Sequence, residues 1–140
     1  MDIALVLRES MLLKGILTKS EVWYNVKDEH IKVLESADLD LMRKIMDAHS
    51  KTASELFFLE TGKIPIKFVI SKRRLNYLWQ ILTRTNDELI KKVYTTQKLH
   101  TTKGDWFEMI QNEKAKYAIN LTDEEISKMS KSRFKSLADK

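Results

Sequence analysis

The chain has 140 residues, with 25 Lys and Arg against 20 Asp and Glu, no Cys, three Gly and one Pro. Hydrophobic residues at 43% and charged residues at 32% fit one globular domain, or one part of a larger enzyme, and exclude a disordered chain. The absence of Cys excludes a disulfide framework, a zinc ribbon and a thiol nucleophile, while Gly15, Gly62 and Gly104 stand too far apart for a phosphate-cradling glycine loop.

Taken in chain order, the hydrophobic spacing is helical almost throughout. A first helix is expected over residues 3–16, with Leu5, Leu12, Leu13 and Ile16 inward. Val22, Trp23 and Tyr24 read as a short buried bridge to a second helix over 27–48, where Ile31, Leu34, Leu41, Met42 and Ile45 follow a 3.6-residue period. Acidic Asp28 and Glu29 suit the positive N-terminal end of that helix. Ser50 or Thr52 can cap a short third helix over 53–60, with Gly62 just past its end and Pro65 opening a fourth helix that runs to Leu82. Asn86 can cap a fifth helix through Leu89, Ile90, Val93 and Tyr94, and Asp105 a sixth through Trp106, Met109, Ile110 and Tyr117. Thr122 and Glu125 have the spacing of a capping box, and Ser130 opens a last helix over 133–138. Phe57–Leu59 and Lys67–Ile70 are the two pieces that could also be strand. The expected fold is an all-α helical bundle over residues 1–103 with a looser helical extension over 104–140, hinged at the polar stretch 95–104.

Function classes narrow further from what is missing. No apolar run approaches the roughly 20 residues of a membrane span. Asp2, Arg8, Glu9 and Lys14 interrupt the apolar N-terminus, so it is not a signal peptide, and the absence of Cys makes the reducing intracellular compartments, nuclear or cytoplasmic, the expected ones. His30, His49 and His100 lie in different segments, so no metal site is expected from them. Asp38 and Asp40 sit two apart on a helix, point to different sides and read as a solvated face. No nucleophile motif stands out, so neither catalytic residues nor a cofactor is expected.

The charge, in contrast, is concentrated. Residues 63–104 carry ten basic side chains against two acidic ones, while residues 1–62 carry eight against eleven. Lys67, Lys72, Arg73, Arg84, Lys91 and Lys92, interleaved with Tyr77, Trp79 and Tyr94, are candidate nucleic-acid contacts, since such a cluster can neutralise phosphates and pack on sugar or base edges. Arg74 falls on the apolar stripe between Ile70 and Leu78, which makes it a structural arginine, with Glu60 as the expected partner. Trp23 and Trp106 read as core anchors, and Trp79 as either core or stacking platform.

Seven stretches occur in an order that resembles the region just downstream of the catalytic palm in reverse transcriptases of non-LTR (LINE-type) retrotransposons. They are Leu-Arg-Glu-Ser-Met-Leu-Leu-Lys-Gly-Ile-Leu at 7–17, Ser-Glu-Val-Trp-Tyr-Asn at 20–25, Leu-Glu-Ser-Ala-Asp at 34–38 and Leu-Met-Arg-Lys-Ile at 41–45. Leu-Glu-Thr-Gly-Lys-Ile-Pro-Ile at 59–66, Arg-Arg-Leu-Asn-Tyr-Leu at 73–78 and Lys-Gly-Asp-Trp at 103–106 complete the series. The resemblance implies a polymerase thumb and its following helical linker, which hold a template–primer duplex (an RNA–DNA hybrid or RNA duplex) while palm and fingers carry out the chemistry. By position it implies backbone contacts at Lys67, Lys72 and Arg73, and scaffold roles at Glu21, Trp23, Glu60 and Gly62. Two family features are missing: the chain has no Asp-Asp pair and no Cys. The resemblance therefore implies a non-catalytic fragment or remnant of an RNA-directed DNA polymerase. The alternative, from another class, is a helical protein-interaction module derived from such a remnant.

Overall fold

A computed structural model describes residues 3–24 and 26–138. The protein is all-α, with no strand among the described residues, and both strand-ambiguous pieces are helical. Its backbone divides into two compact units, one built from residues 3–19 and 26–70 and the other from residues 20–24 and 71–138.

In the first unit a continuous helical run begins with α1 (Ile3–Leu7), widens into a π-helical stretch (Arg8–Leu13) and ends as α2 (Lys14–Ile16). A π-helix bonds five residues back instead of four, so each turn holds more residues and the buried stripe changes phase. The inward positions are therefore Arg8, Leu13 and Leu17, whereas the expected Leu12 and Ile16 are exposed. The long α3 (Asp28–Ile45) starts on its two acidic residues, as expected, and packs against α1 and against α4 (Ser54–Thr61). Gly62 follows α4 in the left-handed conformation, with φ of 65°, which a glycine adopts without a Cβ penalty. The N-cap of α4 is Ala53, so neither Ser50 nor Thr52 caps it. Pro65 then presents its carbonyl to the amides of Phe68 and Val69 in the first turn of α5 (Ile66–Leu82). Met42, Phe57, Ile66 and Ile70 are among the fully buried apolar side chains of this unit.

Asp38 corrects the expectation of a solvated face. It is buried, and both its oxygens accept from the Arg8 guanidinium, while Asp40 stays exposed and pairs with Arg43 one turn on. The partner of Asp38 lies thirty residues away, outside any helix-local pattern.

The second unit contains the short 3₁₀ turn Ser20–Val22, the remainder of α5 from Ser71, α6 (Leu89–Leu99), α7 (Trp106–Lys116), α8 (Asp123–Lys128) and α9 (Lys131–Ala138). One hydrophobic cluster joins Leu75, Leu78 and Leu82 of α5 with Tyr94 of α6, Ile110 of α7, Ile126 of α8 and Phe134 of α9. The helices after residue 104 thus supply core, and the structure divides the chain within α5, not at 103/104. The stretch 95–104 is helical to Leu99, with a turn before α7 in which Gly104 takes φ of 85°.

The local signals at the later helix ends are realised. Asp105 accepts from the Glu108 amide, and Thr122 with Glu125 closes a full capping box. At α6 the cap is Glu88, without a side-chain bond, instead of Asn86. The expected buried bridge is also corrected: Trp23 is half-buried, but Val22 and Tyr24 are exposed.

Candidate nucleic-acid interface

The basic cluster sorts into cations that hold the fold and cations that face solvent. Lys91, half-buried on α6, donates from Nζ to the Leu82 carbonyl at 2.7 Å. That bond satisfies one of the carbonyls left open at the end of α5, so Lys91 is spent on a helix terminus. Arg84 bridges to Glu88 at 2.6 Å across the turn between α5 and α6, and this hydrogen bond raises the guanidinium further above its already high range. Lys72 and Arg73 are half-buried on α5, and each has an interaction partner of its own. Lys67, in the first turn of α5, is exposed with its ammonium 5.1 Å from the Phe68 ring centre, and its amide donates to Glu35 Oε1. Lys92 on α6 is exposed. Lys67 and Lys92 are therefore the residues of the six best placed to meet a phosphate.

The residues assigned to scaffold divide in a similar way. Arg74 is buried, as its position on the stripe requires. Its partners are Glu113 Oε1 of α7 at 3.0 Å and the Trp23 carbonyl at 3.1 Å, not Glu60, which is exposed at the end of α4. The ordering signal was the chain position of Arg74, but the partner lies 39 residues downstream, where no helical period connects them. Glu21 acts through its backbone, accepting from the Trp106 indole N–H at 2.9 Å. Trp79 donates its indole N–H to the Met129 carbonyl at 3.0 Å and packs against the core, so it is an anchor rather than a stacking platform.

Tyr77, Tyr94 and Trp106 form an aromatic group that the spacing alone did not single out. Tyr77 meets Trp106 edge-to-face at 5.7 Å between ring centres, and Tyr94 meets it at 6.3 Å. The three rings line a cavity of about 180 Å³ whose remaining wall includes Val93 and Gln97 of α6. Burial raises the Tyr77 hydroxyl above its ordinary range, with Arg84 pulling it down and Glu21 pushing it up. The Tyr94 hydroxyl donates to Asp123 Oδ2 at 3.1 Å, and burial and that carboxylate together raise it strongly. The legible signal was the set Ile90, Val93, Tyr94 and Gln97, which share one face of α6.

His30, His49 and His100 are exposed, and no three His, Asp or Glu side chains converge as a metal-binding group among the described residues. No helix among them is long and apolar enough to cross a membrane. Comparison with protein-family models, curated proteins and solved structures finds no match to this chain.

Proposed function

We propose that the chain is a non-catalytic nucleic-acid-binding module, a thumb-and-linker fragment of a LINE-type reverse transcriptase that grips the backbone of a template–primer duplex. The observation that carries this reading is the ten-to-two excess of basic over acidic side chains between residues 63 and 104. Such a field attracts a polyanion and releases its counterions, giving affinity that is tolerant of sequence and steep in salt. The order of the seven sequence stretches supports the retroelement origin. With no Asp-Asp pair in the sequence, the palm that this module would serve lies on other residues than these, and the partners are the duplex and that palm. A retroelement module of this kind works inside the cell, in the nucleus or the cytoplasm.

The test is fluorescence anisotropy with a labelled RNA–DNA hybrid at several salt concentrations. Charge reversal at Lys67 and Lys92 is expected to weaken binding at least tenfold and to flatten the salt slope by about one per lysine removed, with helicity kept. Affinity unchanged by the reversal, or no binding at low salt, overturns the reading.

A second reading rests on a different observation. Ile3, Leu7 and Met11 recur four residues apart on the N-terminal helical run and are all exposed, Ile3 by 76% and Met11 by 70%. An apolar ridge of that kind is what a protein-interaction module presents. Self-association in sedimentation that persists at high salt, together with indifference to the hybrid, favours it.

A further inference from the structure

The aromatic cavity of the second unit lies against the hydrophobic cluster, and none of the six candidate phosphate contacts lines it. Its rings are held in place from behind: the Trp106 indole N–H is committed to the Glu21 carbonyl and the Tyr94 hydroxyl to Asp123. What remains on the lining is ring and aliphatic surface with two polar groups, the Tyr77 hydroxyl and the Gln97 amide, neither of which makes a hydrogen bond among the described residues. A cavity of about 150 Å³ lined by apolar side chains takes one benzene-sized ring. The present one, at about 180 Å³, is of the size for a single planar heterocycle. Arg84 follows Tyr77 by seven residues and Ile81 by three, just past the end of the α5 face that lines the cavity, and its half-exposed guanidinium is held by Glu88 across the turn. A backbone phosphate arriving with the base can take the guanidinium N–H donors that Glu88 leaves open, since Glu88 accepts from Arg84 Nη1 alone.

We propose that the cavity among Tyr77, Tyr94 and Trp106 receives one unpaired base of a nucleic-acid strand, with Gln97 facing the base edge and Arg84 its phosphate. The proposal rests on the nucleic-acid reading above and sharpens it: the preferred ligand is a duplex with a single-stranded end. Unstacked bases seat on aromatic side chains and on guanidinium groups, and a glutamine amide can pair with a base edge through its donor and acceptor together.

Three labelled RNA–DNA hybrids decide it: a blunt one, one with a three-nucleotide 3′ overhang, and the same overhang made abasic. The intact overhang is expected to bind about tenfold tighter than the other two. Val93→Trp, which fills the cavity without changing charge, is expected to abolish that gain and leave blunt-hybrid affinity as it was. An abasic overhang as good as the intact one assigns the gain to phosphates and overturns the base pocket, as does a preference that survives Val93→Trp. Titration of the native chain with AMP, followed at the Trp106 indole resonance, reads the cavity alone and needs no variant. A shift there with no duplex binding overturns the proposed function and upholds the pocket. Blunt-hybrid binding with no shift and no overhang gain does the reverse.

Discussion

Each compact unit buries one arginine against one carboxylate, and the two pairs are built differently. In the first unit Arg8 meets Asp38 through two parallel bonds, so both carboxylate oxygens and one edge of the guanidinium are satisfied. In the second, Arg74 makes one bond to Glu113 and one to the Trp23 carbonyl, while Arg74 Nε and Glu113 Oε2 have no hydrogen-bond partner. The second unit also has the continuous apolar cluster that runs from Leu75 to Phe134. Buried ion pairs gain little over apolar packing but are costly to break on one side. The comparison teaches that the first unit depends on its pair, whereas the second depends on its core and tolerates an imperfect one.

Variants can break or sharpen that contrast. Asp38→Ala leaves Arg8 charged, buried and alone, and is expected to cost about 3–5 kcal/mol. Hydrogen exchange should show the loss in α3, and protection there equal to the native chain would sink the argument. Phe134→Ala, which removes a fully buried ring at the far end of the second unit, is expected to cost about 3–5 kcal/mol as well, read as lost protection at Ile110. If Ile110 keeps its protection, the segment after residue 104 is an appendage after all. Glu113→Gln keeps a hydrogen-bond acceptor for Arg74 and is expected to cost about 1–3 kcal/mol in denaturant unfolding, less than Asp38→Ala. Equal costs would erase the difference between the pairs. Thr122→Ala removes the capping box of α8 and is expected to cost about 1 kcal/mol, seen as a lower melting temperature.

The smallest effect is a pH dependence. Folding raises the Tyr94 phenol by burial and by the Asp123 carboxylate, so the folded state favours the neutral form. The associated stability is complete below the ordinary phenol value of about 10 and is lost as pH rises above it. Tyr94→Phe should flatten the loss of stability above about pH 10, where the unfolded phenol ionises and the folded one does not, as read by denaturant unfolding at rising pH. Glu125 has the opposite sign: the Thr122 amide and hydroxyl hold its carboxylate below the ordinary range, and that stabilisation fades in acid as the carboxylate protonates.

What was legible in the sequence was local. Asp105, the Thr122–Glu125 pair, Gly62 and Pro65 each act within a few residues of their own position, so a helix start or stop reveals them. Asp38 and Arg74 were not fully legible because their partners lie in other elements, and a residue's neighbours across the fold leave no mark on its spacing. Asn86 and Thr52 failed as caps because α6 and α4 begin after residues that use no side-chain bond, Glu88 and Ala53. The phase of the first helix was lost to its π-helical stretch, which periodicity counted at 3.6 residues per turn cannot see. Of the candidate interface, the charge was legible, but which lysines are already engaged was not, since that depends on where the carbonyl of Leu82 ends up.

The π-helical stretch Arg8–Leu13 has a consequence for how this chain can vary in length. Such a stretch is what an ordinary helix becomes when one residue is inserted and the flanking packing holds. Deleting a single residue there, such as Ser10, would let the run return to the ordinary pitch while the residues on either side keep the faces they present now. Arg8 would still meet Asp38, and Leu13 and Leu17 would stay inward. The segment is thus a place where the chain can lose one residue without breaking its buried ion pair, whereas the same deletion within α3 would turn Asp38 away from Arg8.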